Sequence, residues 1–125
     1  MQSLVNKQGE EIGWLYNNII LLPGNKVAGI LLGHCAYSQN GRVIGKFFSQ
    51  ALYNEKGEII ARQGGPVAAG ITLAEDKKIM TDFWEIMART SNHTGPWIVP
   101  TDKWSKDSLS NFLVDSRASS LTVAI

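Results

Sequence analysis

From Ser3 to Pro66 the apolar and polar positions recur every 16 residues without a gap. The four segments are SLVNKQGEEIGWLYNN, IILLPGNKVAGILLGH, CAYSQNGRVIGKFFSQ and ALYNEKGEIIARQGGP. Aligned, their second column reads Leu4, Ile20, Ala36 and Leu52, and their third Val5, Leu21, Tyr37 and Tyr53. The tenth column is Ile12, Ala28, Ile44 and Ile60. The eighth is charged throughout: Glu10, Lys26, Arg42 and Glu58. Glycine or asparagine holds the seventh column (Gly9, Asn25, Gly41, Gly57), and a small residue holds the eleventh (Gly13, Gly29, Gly45, Ala61). A fixed period of this kind marks a repeat architecture.

Each column has a local physical meaning. Glycine and asparagine tolerate positive φ, so the seventh column predicts turn tips, with the charged eighth column just beyond them in water. Asn40-Gly41 has the composition of a type I′ turn, the commonest hairpin connection. The flanking runs of five or six aliphatic, β-branched and aromatic residues have the length of strands. A small residue mid-strand in every unit predicts a bend or a close approach of backbone. The tenth-column residues are expected to meet around a common axis. Two-stranded hairpins are marginal alone. The pattern therefore predicts four hairpins, eight short antiparallel strands, packed around a pseudo-fourfold axis, an arrangement that also suits a small barrel.

Residues 64 to 71, rich in glycine, alanine and proline, read as a linker that ends the repeats. Thr72 and Glu75 form a capping-box pair, and a helix is expected over 72–90. Its apolar stripe is Met80, Phe83, Trp84 and Met87, widened by Ile79 and Ile86. Gly95, Pro96 and Pro100 make 91–102 a loop, with a short extended piece at Trp97 to Val99. Leu109, Phe112 and Leu113 suggest a shorter helix from Ser105 to Asp115, and Leu121 to Ile125 reads as an edge strand or tail. The fold class is thus α+β, with residues 1–125 as a single domain: repeats over 3–66, helix over 72–90, then loop, short helix and tail over 91–125.

The G-x-x-x-G spacing of Gly9 to Gly13 and Gly41 to Gly45, with Tyr37 to Gly41 and Tyr53 to Gly57, resembles the 4-fold β-flower family. The second repeat departs from that pattern at Leu21 and Asn25. The resemblance covers residues 3 to 66. It implies a small bacterial protein of a family without known function, and it brings no catalytic residues.

Charge removes some function classes. The 125 residues carry 12 Lys and Arg against 11 Asp and Glu, a net +1, scattered with no run longer than Lys77-Lys78. A nucleic-acid partner is not expected on such a surface. No apolar run approaches the roughly 18 residues of a membrane span. The apolar run Val27 to Ala36 reads as a buried strand rather than a leader segment. One cysteine, Cys35, allows no internal disulfide and points to a reducing, cytoplasmic setting.

No motif specifies a chemistry. His34 and Cys35 are neighbours on a strand and point to opposite faces, which argues against a nucleophile pair. Two histidines and one cysteine do not make a zinc site, and no other metal or cofactor is expected. Glu10, Glu11, Glu55 and Glu58 read as a solvated rim. The segment from Ser91 to Trp104 gathers His93, Trp97, Asp102 and Trp104 in a loop, and these four are the candidate ligand-binding residues. The competing reading is that both tryptophans anchor the loop onto the core. The functional expectation is a non-catalytic binding or interaction module, its partner an unidentified small molecule, lipid or protein, with a second copy of the chain also open. The alternative is a small enzyme with a site between the repeat and the 91–104 loop. A filled axis with an exposed apolar face would favour the module, and a deep pocket holding a titratable pair would favour the enzyme.

Overall fold

The computed structural model describes residues 1–90 and 97–114. Eight strands alternate in sequence order around a closed antiparallel barrel: β1 (Gln2–Val5), β2 (Glu11–Tyr16), β3 (Ile19–Leu22), β4 (Lys26–Leu32), β5 (Cys35–Ser38), β6 (Val43–Phe48), β7 (Ala51–Asn54) and β8 (Ile59–Pro66). Helices α1 (Leu73–Arg89) and α2 (Leu109–Val114) follow. The residues expected as a linker from 64 begin inside β8 instead. Pro66 pairs with Gln2, and this pairing closes the barrel. A side chain at Gly64 would collide with the Ser3 hydroxyl, so glycine there lets the closing strand lie against the first one.

The repeat sets one register error per unit, and that error shapes the barrel. In β1–β2 the pairing steps from Leu4↔Gly13 to Val5↔Glu11, leaving Ile12 as an extra residue. The same step leaves Ala28, Ile44 and Ile60 unpaired in the other three hairpins. The tenth column is therefore a β-bulge in every repeat. A bulge bends its strand and raises local twist, which closes so small a sheet. It also turns the tenth and eleventh positions to the same side, since Ile60 and Ala61 both lie in the inner core.

The hairpin tips differ from expectation in turn type. At Asn40-Gly41 the Gly41 amide donates to the Ser38 carbonyl and the Ser38 amide to the Arg42 carbonyl. Gly41 has φ +77°, while Asn40 is not among the positive-φ residues. This is a type I turn closed by a glycine bulge rather than the type I′ turn the dipeptide suggests, and the same bonds recur at Asn6–Glu10 and Asn54–Glu58. Asn6 Oδ1 accepts from the amides of Gln8 and Glu10, and Asn54 Oδ1 from those of Lys56 and Glu58, which fixes both tips. The second repeat turns differently, through Pro23-Gly24-Asn25 with φ +85° at Gly24 and +57° at Asn25.

Between repeats the strands join through two-residue turns, Asn17-Asn18, Gly33-His34 and Ser49-Gln50. Ser49 (φ +51°) and Gln50 (φ +63°) both adopt the left-handed region that costs an ordinary residue about 1–2 kcal/mol. Ser49→Asn with Gln50→Gly should therefore stabilise the protein by about 1–2 kcal/mol, read as a higher denaturation midpoint at unchanged m-value. An unchanged midpoint would remove strain from this turn.

α1 lies across the outside of β3, β4 and β5. Ile79 and Ile86 are buried against Ile19, Leu21, Val27, Ile30 and Tyr37, with Met80, Phe83 and Met87 half-buried beside them. The capping box is present as the sequence reads: the Glu75 amide donates to Thr72 Oγ1 and the Thr72 amide to Glu75 Oε1. Trp84 is a correction. It follows Phe83 by one residue, about 100° round the helix, and is 60% exposed, touching Phe83 edge-on at 5.4 Å. The stripe is centred on Ile79, Phe83 and Ile86, and Trp84 is not part of it.

Polar ties among the described residues also hold α1 to the repeat. Tyr16 Oη donates to Asp76 at 2.8 Å, Asn25 Nδ2 to Glu75 at 2.6 Å and Arg89 Nη1 to the Gln39 carbonyl at 2.9 Å. Chiefly through the Asn25 bond, and then through Thr72, the Glu75 carboxyl is held below its ordinary pKa. A lowered carboxyl pKa contributes stability above the unfolded value and loses it as pH falls through the folded one. Asn25→Gly should raise the Glu75 pKa towards that of a free glutamate and shift the acid limb of unfolding, followed by carboxyl NMR titration. An unmoved Glu75 titration would mean that the bond does not form in solution.

Candidate functional site

α2 is not an outer cover but a plug. Leu109, Phe112 and Leu113 are buried in the same cluster as Leu4, Ile20, Ala36, Ile44, Leu52 and Ile60, inside the barrel. The eleventh column explains how they fit. A methyl group built on Gly13 would lie 2.8 Å from Leu109 Cδ2, on Gly29 2.9 Å from Leu113 Cδ2, and on Gly45 3.0 Å from Phe112 Cζ. Each of the three glycines is a socket for one plug side chain. At all three it also lets the carbonyl of the third-column residue of the following repeat come close. The fourth repeat has Ala61 at this position, with its own methyl buried in the core.

α2 is shorter than the expected helix over 105–115. The chain before it is committed to the barrel wall: the Ile59 amide donates to the Lys103 carbonyl and the Ser105 amide to the Ile59 carbonyl. This gives a single parallel bridge between Ile59 and Trp104. The helix begins only after Ser108, whose Oγ accepts from the Asn111 amide. Trp97 to Val99 forms no β-strand, with Ile98 buried in a cluster with Ala51, Tyr53 and Ile59 of the fourth repeat. Gly57, φ +79°, sits under the Val99 carbonyl with no room for a side chain.

The four candidate residues separate. His93 lies outside the described residues, as do Ser91 to Pro96 and the expected tail strand at Leu121 to Ile125. Trp97 is 90% exposed and belongs to no core cluster, so it does not anchor the loop. Trp104 does: it packs half-buried on Tyr53 and Ile59, with the Arg62 guanidinium 5.9 Å from its ring centre. Among the described candidates, Asp102 and Trp104 come together along one shallow cleft with Lys7, Lys56 and Glu58. Among the described residues Asp102 and Glu58 share no hydrogen bond, and Glu58 accepts from Asn54 Nδ2. His34 lies exposed in a turn, its Nδ1 3.4 Å from the Phe47 carbonyl, apart from the half-buried Cys35 thiol.

A second cleft of about 590 Å³ adjoins the first and lies beside the plug. Its floor is Ile12, Leu22, Ile60 and Leu109, and Lys7, Trp104 and Lys106 are shared with its neighbour. Reasoning from the sequence missed Lys7, Ile12 and Leu22. A signal for Leu22 was available, because the fourth column otherwise reads Asn6, Ser38 and Asn54. No group of three or more His, Cys, Asp or Glu side chains is placed to hold a metal among the described residues. No described helix is long and apolar enough to cross a membrane.

A family sequence profile described as "4-fold beta flower protein" matches residues 2–113. The chain belongs to the 4-fold beta flower family. The match takes in the plug helix as well as the repeats, so α2 lies within the shared sequence pattern of this flower, not outside it. The family is of unknown function. No curated protein matches the chain significantly, and no solved structure does.

Among the described residues, one buried side-chain hydroxyl in the flower has no hydrogen-bond partner. Ser38 Oγ is fully buried at the plug end of β5 and makes no hydrogen bond. The equivalent Asn6 and Asn54 reach their own turn amides, which the shorter serine does not. An unmade buried hydrogen bond costs about 1–3 kcal/mol. Ser38→Ala should thus stabilise by about 1 kcal/mol in denaturant melts, and a destabilised Ser38→Ala would mean that the hydroxyl is satisfied in solution.

Proposed function

We propose that this chain is a non-catalytic interaction module, in which the flower is a rigid scaffold and its plug end is the binding face. The supporting observation is the filled axis. Leu109, Phe112 and Leu113 occupy the barrel interior together with the repeat's own aliphatic side chains. Two adjoining clefts lie where the hairpin tips of the first, second and fourth repeats meet residues 102–110. Binding residues sit more often on loops carried by a scaffold than in the scaffold itself. Asp102 and Trp104 belong to this face, whereas Trp97 does not. A cytoplasmic setting accords with the free thiol of Cys35.

The second reading is a small enzyme using the cleft that Asp102, Lys56 and Glu58 line. It is the weaker one, because the cleft is open and, of its three carboxylates, Asp102 and Glu58 are not hydrogen-bonded to each other. The test is amide chemical-shift mapping of the full chain against a chemically diverse fragment library. Responses should gather at residues 6–12, 22–23 and 102–110. Responses confined to the outward side of α1, or none at all, would overturn the assignment.

A further inference from the structure

The fourfold pattern is broken in one quadrant, and the breaks coincide. Among the tenth-column residues Ala28, Ile44 and Ile60 are buried, while Ile12 is partly exposed. In the fourth column Leu22 replaces the polar residue of the other repeats, and in the fifth Pro23 replaces Lys7, Gln39 and Glu55. Leu22 thereby forgoes the side-chain cap that Asn6 and Asn54 give their own turns. It stays half-buried at the barrel mouth. All three residues line the cleft of about 590 Å³ beside α2, which the plug leaves uncovered. Pro23 with Gly24 serves the turn itself, but Leu22, packed against the core cluster, is only half-buried and also lines the cleft, at a position where the sister repeats carry an amide or a hydroxyl. Apolar walls around an open space of this size are what small-molecule sites use, typically about 300–1,000 Å³.

Resting on the binding-face reading above, we propose that this quadrant is a site for an uncharged small molecule carrying an alkyl chain, the chain lying over Ile12, Leu22 and Leu109 and its polar end at the rim. Two cations at the rim, Lys7 and Lys106, stand against two acids, Glu11 and Asp107. Glu11 already accepts from the Trp14 indole at 3.0 Å. The rim therefore offers no net charge to a carboxylate or an ammonium head. Hydroxyl and amide groups, by contrast, find donors and acceptors in Ser105, Ser108 and Gln8.

The test is a titration of the full chain with 1-octanol, octanoate and octylammonium, followed through isoleucine and leucine methyl signals. Saturable shifts should appear at Ile12 and Leu22 with octanol, at least tenfold tighter than with either charged analogue. Leu22→Asn, which installs the residue that the first and fourth repeats carry, should keep the fold and weaken octanol binding at least tenfold. Ile12→Trp, which fills the cleft, should do the same, and if it fails to fold, Leu22→Asn decides alone. Affinity unchanged in the folded variants, tighter binding of octanoate or octylammonium, or shifts centred on Leu73 and Trp84 would each overturn the proposal. Octanol failing while other fragments shift Lys7 and Trp104 would overturn the alkyl site and leave the binding face standing.

Discussion

Ile44→Asp should leave no folded protein, whereas Lys56→Asp, twelve residues on at an exposed turn tip, should melt within about 0.5 kcal/mol of the parent. Ile44 is 2% exposed and is the bulge residue of the third repeat, aimed into the cluster that contains Leu52, Ile60 and Phe112. Among the described residues the buried polar side chains are Ser3 and Ser38, so no buried cation is there to pair with a carboxylate. An unpaired buried charge costs several kcal/mol at least, and the whole stability of such a domain is about 5–15 kcal/mol. The aspartate also cannot escape by local slippage. A bulge is defined by its register, and moving Ile44 outward would carry Gly45 away from Phe112, for which it leaves room. Ile44→Val grades the same site, with an expected loss of about 0.5–1.5 kcal/mol. The measurement is soluble yield and urea denaturation of the three variants. An Ile44→Asp protein that melts like Lys56→Asp would place the side chain outside the barrel and remove the shared axis.

The axis could be read in the sequence because repetition supplies its own controls. One Ile-Gly pair is noise, but Ile12-Gly13, Ala28-Gly29, Ile44-Gly45 and Ile60-Ala61 at one spacing require a common local cause, here the bulge. What such columns do not carry is any part of the structure that breaks the repeat. Leu109, Phe112 and Leu113 span little more than one turn, and that pattern fits a surface helix as well as a plug. Only the packing decides, through the methyl-sized gaps at three of the four eleventh-column positions. The Trp84 error has a similar root, since a 3.6-residue stripe fixes a face only to within about one residue, and tryptophan's size drew the stripe towards it. At the candidate site Asp102 and Trp104 were legible because loops with aromatic and charged residues draw attention. Lys7, Ile12 and Leu22 were not, because each looks like an ordinary member of a hairpin until the fourfold pattern is compared quadrant by quadrant.

Residues 1 to 66 expressed alone should self-associate rather than melt as a cooperative monomer. Cut at that point, the barrel loses its plug and the helix that covers β3, β4 and β5 together. Inside, Leu109, Phe112 and Leu113 leave sockets lined by Leu4, Ile20, Leu31 and Ile44. Outside, the loss of Ile79 and Ile86 uncovers Ile19, Leu21, Val27 and Ile30. Each large side chain returned to water costs on the order of 2 kcal/mol, so uncovering even part of these eight barrel residues reaches the size of the whole folding stability. The exposed wall would then be an apolar patch large enough to draw copies together. We propose on this ground that barrel and helices fold as one cooperative unit. The full-chain double variant Phe112→Ala with Leu113→Ala isolates the interior contribution, because it keeps the outer wall covered, and each truncation should cost about 2–5 kcal/mol. Size-exclusion chromatography of the fragment and chemical denaturation of the double variant are the measurements. A soluble, monomeric, cooperatively melting 1–66 fragment would make the flower self-sufficient. A plug variant as stable as the parent would put α2 outside the barrel in solution.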